Sequence, residues 1–192
     1  MSNTKSFIDS LEDVTDIMEI EDDFLPKGYE EPKSNKYMKF KLGDNKFRIL
    51  SNSIVGYEWW IEEKDEKNQV IKKPVRIRMD EFEDRVHEAP DRKSVKLFWA
   101  MVVYNYATED ISILEITQKG IRDSINSLRE DKDWGSPRGY DLVVARSGEG
   151  YDTNYNLIPK PKSEVTEEIK KRYESMHINL EALFDGGDPY AE

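Results

Sequence analysis

Aromatic rings and cations supply most of the chemistry in this chain of 192 residues, which has ten Tyr, seven Phe and four Trp. The basic groups come in runs beside the rings. Lys39, Lys41, Lys46 and Arg48 are interrupted only by Asp44. Lys72, Lys73, Arg76 and Arg78 have no acid between them, and Arg92, Lys93 and Lys96 open an acid-free stretch that lasts to Thr108. Tyr57, Trp59 and Trp60 lie between the first two runs. Interleaving of this kind suits an unpaired nucleic-acid strand: ring faces stack on bases, worth ~1–3 kcal/mol each, while Lys and Arg follow the phosphates. The candidate phosphate contacts are Lys39, Lys41, Arg48, Lys72, Lys73, Arg76, Arg78, Lys96 and Arg146. The candidate stacking rings are Tyr57, Trp59, Phe98, Tyr104 and Tyr106.

Other chemistries find less support. The chain has no cysteine, which removes disulfides, thiolate metal sites and cysteine nucleophiles together. His87 and His177 are the only histidines, too few for a multi-histidine metal centre, and neither sits in a nucleophile motif. There is no phosphate-binding glycine loop and no HExxH pattern. With 40 acidic residues, pairs of carboxylates able to hold a metal arise by chance. The expectation is a binding protein with no catalytic residue, no cofactor and no metal. Two rivals predict different behaviour. An acidic protein-interaction or DNA-mimic module would bind a basic protein, and a metal-dependent nuclease would destroy its strand.

The net charge of −11 looks unfavourable for nucleic acid, but its distribution is uneven. Residues 1–36 carry 4 basic and 10 acidic groups, residues 37–162 carry 22 of each, and residues 163–192 carry 3 and 8. A neutral centre with local cationic runs thus lies between two acidic ends. No apolar stretch reaches the ~18 residues of a membrane span, and no basic-then-apolar leader opens the chain. The length suits one domain with extensions.

Periodicity shows how these residues would be positioned. Phe7, Ile8, Leu11 and Val14 have helical spacing, and Glu19 to Pro32 reads as an acidic linker. From Met38 to Leu42 apolar and basic residues alternate as on a strand, Gly43-Asp44-Asn45 signals a turn, and Phe47 and Ile49 resume the alternation. Further strands are expected over 54–61, 74–79, 95–106 and 111–116, with a charged loop over 62–69 and a polar connection over 80–93. The period then changes: Thr117 can cap a helix carrying Ile121, Ile125 and Leu128. Trp134 is expected to pack the end of that helix. Strands over 140–146 and 151–158 follow, with Pro159 and Pro161 ending the second. Thr166-Glu167-Glu168 can start a last helix, which runs to about Met176.

Three strands, a helix and two more strands give a mainly β fold of the OB type, a small five-stranded, partly open Greek-key barrel with one helix between its third and fourth strands. The single helix between the hairpins argues against a β-sandwich. The chain thus divides into an acidic N-terminal extension (1–36), the barrel (37–160, with an insertion at about 57–93), a C-terminal helix (161–178) and an acidic tail (179–192). One face of each barrel strand should lie in the core. In the 95–106 strand the apolar set Leu97, Trp99, Met101 and Val103 is the better core, leaving Lys96, Phe98, Tyr104 and Tyr106 for the outer face.

The segments YMKFKLGDNKFRILS, SIVGYEWW, KKPVRIR, KLFWAMVVYNY, ISILEITQKGI, EDKDWGSPRGYDLVVARSGEG and YDTNYNLIP together resemble the single-stranded DNA-binding proteins of tailed bacteriophages, over roughly residues 24–160. The most specific part is DWGSP-x-GYDL followed by a glycine hairpin. The resemblance implies an OB-fold core and a protein that coats exposed DNA strands during replication, recombination or repair, in the host cytoplasm. It also implies an acidic C-terminal segment that contacts replication or recombination proteins, here through Leu183, Phe184, Asp185, Asp188 and Tyr190. The structural zinc that some helix-destabilising phage proteins hold through cysteines has no ligands in this chain. A mobile acidic tail can also compete with phosphates for basic groups, so deleting 179–192 is expected to raise DNA affinity at low salt.

Overall fold

Contacts divide the chain into units at 1–33 and 34–192. The computed structural model describes residues 36–191, all in the second unit. The helix expected around Phe7–Val14 and the acidic linker at 19–32 lie outside the described residues.

The protein is mainly β. Its strands are β1 (Tyr37–Met38), β2 (Gly43–Ile49), β3 (Ile54–Lys64), β4 (Val70–Arg78), β5 (Lys96–Asn105), β6 (Asp110–Ile116), β7 (Tyr140–Ser147) and β8 (Asn154–Lys162). The helices are α1 (Phe82–Arg85), α2 (Lys119–Glu130) and α3 (Glu167–Met176). The strands form one open mixed sheet in the order β1-β6-β5-β2-β7-β8, with the β3–β4 hairpin attached through β5. Among the described residues only the short β1–β6 pair is parallel. β5 organises the sheet. On one side it pairs with β6 along most of its length; on the other its first half pairs with β3 and its last residues with β2. β2 and β3 are thus consecutive stretches along one neighbour, joined by a bend at 50–53. Among the described residues β4 pairs only with β3, β8 only with β7 and β1 only with β6.

Several elements differ from their sequence signals. Gly43-Asp44-Asn45 lies inside β2 rather than in a turn, because each of these residues pairs with β7. The preceding bend is held instead by buried Asn45, whose side chain accepts from the Lys41 N–H and donates to the Lys41 carbonyl, both at 2.8 Å. Pro159 and Pro161 do not end β8, which continues to Lys162. On an edge strand a missing N–H that faces solvent costs little, and Pro159 stands opposite Leu142 beside a register shift. Gln118, not Thr117, is the N-cap of α2. Thr166 does cap α3, accepting from the Ile169 N–H.

β5 is buried on both faces. Its inner face meets a core of Phe47, Ile49, Leu114, Leu142 and Val144, closed at one end by Ile121 and Ile125 of α2. Trp134 meets Tyr140 edge-on at 5.2 Å beside this core. The outer face of β5 carries Phe98, Ala100 and Val102, which join Ile111 and Ile113 of β6 in a second core under Leu180 and Leu183. α3 adds Ile169 and Tyr173 to this cover. The expected division into one buried and one exposed face therefore fails for β5: the continuous apolar run from Leu97 to Val103 is that of a strand covered on both sides. The C-terminal segment is likewise part of the fold. Leu183 is 3% exposed, Phe184 packs 5.9 Å from the Phe98 ring, and the Tyr190 hydroxyl donates to the Lys36 carbonyl at 2.5 Å. Gly56 makes this docking possible: a Cβ there would run into Ile77 O and the Phe184 ring.

Candidate nucleic-acid interface

The registers define the outer face of the sheet. Gly56 is opposite Phe98 and Arg78, Glu58 is opposite Lys96 and Arg76, Trp60 is opposite Pro74, and Glu62 is opposite Lys72. Glu115 of β6 stands opposite Ala100, and Tyr37 of β1 opposite Ile113. Directly paired residues share a face. Tyr37, Glu115, Lys96, Glu58, Arg76, Trp60, Pro74 and Lys72 thus lie on the same face as the second core.

The C-terminal segment covers only part of this face. Beyond it lies a groove of about 600 Å³ lined by Tyr37, Lys39, Phe40, Glu58, Trp60, Pro74, Arg76, Glu115 and Tyr155, among others. Trp60 is 52% exposed and Tyr37 43%. Lys39, Lys72 and Lys96 are exposed around it. The floor is ionic. Arg76 Nη2 donates to both Glu115 oxygens at 2.8 and 2.9 Å, and its Nε lies 3.4 Å from Glu58 Oε2. Burial raises the Glu58 carboxyl above its usual range and the Glu115 charge adds to this, against opposition from Arg76 and Lys96. The Tyr37 hydroxyl is raised by burial and then by Glu115.

Comparison with protein-family models, curated proteins and solved structures returns no match for this chain. The functional reading therefore rests on the residues themselves.

The groove gathers part of the predicted set. Lys39 and Arg76 line it, and Lys72 and Lys96 share its face. Arg78 is on that face too, partly exposed against the C-terminal segment: its guanidinium lies 4.8 Å from the Phe184 ring centre and pairs with Glu181 at 3.3 Å. Lys73 belongs to the opposite face and pairs with Glu63 at 3.5 Å. Lys41 is exposed at the bend before β2.

Other predicted residues serve the fold. Arg48 is 2% exposed, so it cannot meet a phosphate. Its Nε donates to Asp141 at 2.7 Å and its Nη atoms to the Ser163 carbonyl at 2.8 and 2.9 Å, tying β2 and β7 to the segment before α3. Burial pushes the Asp141 carboxyl up, but hydrogen bonds from Arg48, Lys46 and Tyr106 outweigh it and hold the group below its usual range. Arg146 is half-buried and donates to the Phe40 carbonyl at 2.9 Å. Trp59 and Phe98 are fully buried, so neither offers a face to a base. Tyr57 lies against Phe82 at 4.3 Å. Tyr104 packs on the second core and meets Tyr106 edge-on at 5.0 Å. The Tyr106 hydroxyl donates to Asp141, and burial followed by that bond pushes it up to about 12. Asp185 and Asp188 are exposed but paired with Arg78 and Lys36.

Trp60, Tyr37 and Tyr155 were not in the predicted stacking set. For Trp60 a signal existed: adjacent strand residues face opposite ways. Trp60 alternates with Glu58 and Glu62, whereas Trp59 faces Val75 across the hairpin, among the apolar residues of the other face.

Proposed function

We propose that this chain binds single-stranded DNA without strong sequence preference, coating and protecting it during phage DNA replication, recombination or repair, and that it does so through the groove beyond the C-terminal segment. The observation that carries this reading is the exposed Trp60 in a groove shared with Tyr37 and Tyr155 and bordered by Lys39, Lys72 and Lys96. Rings there can stack on successive bases while the lysines follow the backbone. The fold supports the same reading. We read the order β6-β5-β2-β7-β8, with α2 between β6 and β7, as OB-like, in an open sheet extended by the β3–β4 hairpin. Ligands of that fold lie across its second and third strands; here the C-terminal segment covers the outer face of β5, and the groove lies beside it, reaching β6 at Leu114 and Glu115.

The test is a fluorescence titration with oligothymidylate, with and without magnesium. Stacking on Trp60 quenches its emission, Trp60→Ala removes most of the quench, and affinity falls steeply with salt. A flat signal together with unaltered strand mobility would leave the acidic interaction module in its place. A magnesium-dependent loss of intact strand would point to nuclease action.

A further inference from the structure

Glu58 is 6% exposed, and the floor around it holds two acids to one guanidinium. Arg76 of β4 faces both Glu58 and Glu115 of β6, but its hydrogen bonds run from Nη2 to Glu115. Glu58 Oε2 and Arg76 Nε are buried without a hydrogen-bond partner, 3.4 Å apart. The second cation facing Glu58 is Lys96, directly opposite it in the β3–β5 register. Tyr37 of β1 lines the same groove, and among the described residues no histidine does. The Glu58 carboxylate thus depends on a shared guanidinium and on one exposed lysine of the rim.

We propose that a single strand of DNA and a proton bind this groove together, the proton going to Glu58. Three effects of the strand act on that carboxylate in the same direction. A phosphate held by Lys96 takes up the cation that Glu58 faces. The same phosphate brings a negative charge close to a carboxylate that water screens poorly. A base stacked on Trp60 covers the groove and removes more of that water. Each effect favours the neutral carboxylic acid. Once Glu58 is neutral, Arg76 answers to Glu115 alone, and the floor loses its excess negative charge. By linkage, a strand that tightens proton binding is itself held more tightly when the proton is present. In the free protein burial, and after it Glu115, already hold the Glu58 carboxyl above its usual range, so the uptake falls in mild acid.

This inference rests on the strand-binding reading above, and the experiment separates the two. The full chain is titrated with oligothymidylate, whose bases take up no proton in mild acid, at several values from about pH 8 to about pH 5.5. Affinity is expected to rise about tenfold towards the acid end, an ordinary coupling between two sites. Calorimetry near the middle of that range, in buffers of different ionisation enthalpy, should show net proton uptake on binding. Glu58→Gln stands in for the neutral acid. Its affinity is expected to match the acid-end value of the unaltered protein and to vary by no more than about twofold with pH. Binding of unchanged affinity across the range, without proton uptake, overturns the inference and leaves strand binding standing. So does a pH dependence that survives in Glu58→Gln, which assigns the proton to another group. Failure to bind at any pH overturns both. The proton count needs no variant, so it decides the matter even where the substitution impairs folding.

Discussion

The two halves of the outer sheet face differ in what rests on them. Around Phe98, Ala100, Val102, Ile111 and Ile113 the chain supplies its own cover, with Leu180, Leu183 and Phe184 closing a second core. A few residues away on the same strands, Tyr37, Trp60 and the Glu58–Arg76–Glu115 cluster line the groove, and among the described residues no apolar segment lies over it. Composition separates the halves: small and aliphatic residues invite a hydrophobic lid, whereas a charged floor with rings at its sides cannot be closed by one without stranding its ions. Arg78 marks the boundary, lying on the same face as Arg76 but held by Phe184 and Glu181.

The sharpest way to break this contrast is to remove the cover. Deleting 180–191 uncovers the part of the second core beneath Leu180, Leu183 and Phe184, and the expected outcome is loss of cooperative thermal unfolding with a gain in binding of a hydrophobic dye, not the simple rise in DNA affinity that a free tail predicts. Asp141→Ala follows. It leaves Arg48 buried without its counter-charge and is expected to cost about 3–5 kcal/mol, read by denaturant titration. Leu183→Ala should cost ~2–5 kcal/mol by the same measurement.

On the open half the effects move from stability to binding. Trp60→Ala should leave the melting temperature nearly unchanged and weaken strand binding by ~1–3 kcal/mol. Lys72→Ala combined with Lys96→Ala should flatten the salt dependence by about one unit of slope per lysine, whereas Arg78→Ala should leave that slope unaltered.

A pH titration of stability sharpens the comparison further. The Asp141 carboxyl is lowered in the fold, so its contribution is complete above the ordinary carboxylate value and is lost as pH falls through the lowered one. Glu58 is raised, so the fold takes up its proton more readily than the unfolded chain does. Its contribution opposes folding above the raised value, and that penalty is relieved as pH falls from there towards the ordinary carboxylate value. Glu58→Gln should abolish this second dependence and leave the acid loss due to Asp141.

The mainly β character, the helix between the hairpins and most strand positions were legible from period, because alternation acts locally, whereas the eight-stranded open sheet was not. The second core was not. Phe98, Tyr104, Leu183 and Phe184 each look like surface or tail residues until a distant segment meets them, and that meeting depends on Gly56, whose missing side chain is silent in any hydropathy pattern. Arg48 was misread for a related reason: its partners, Asp141 and Ser163, lie about a hundred residues away, so a run of cations in sequence did not become a patch in space. The groove was legible only as a class, cations interleaved with rings, because which of two neighbouring tryptophans faces outward depends on register.

The sheet is open, and among the described residues nothing pairs with the outer edges of β4 and β8, so each leaves a row of backbone donors and acceptors. In the proposed coating of a strand, many copies on one polynucleotide would bring such rows together at high local concentration, where zippering into aggregates is the hazard. β4 carries Pro74 with Lys72 and Lys73; β8 carries Pro159 and Pro161 with Lys160 and Lys162. An imino acid interrupts the row and neighbouring cations repel a second copy, so crowded molecules can stand side by side without fusing.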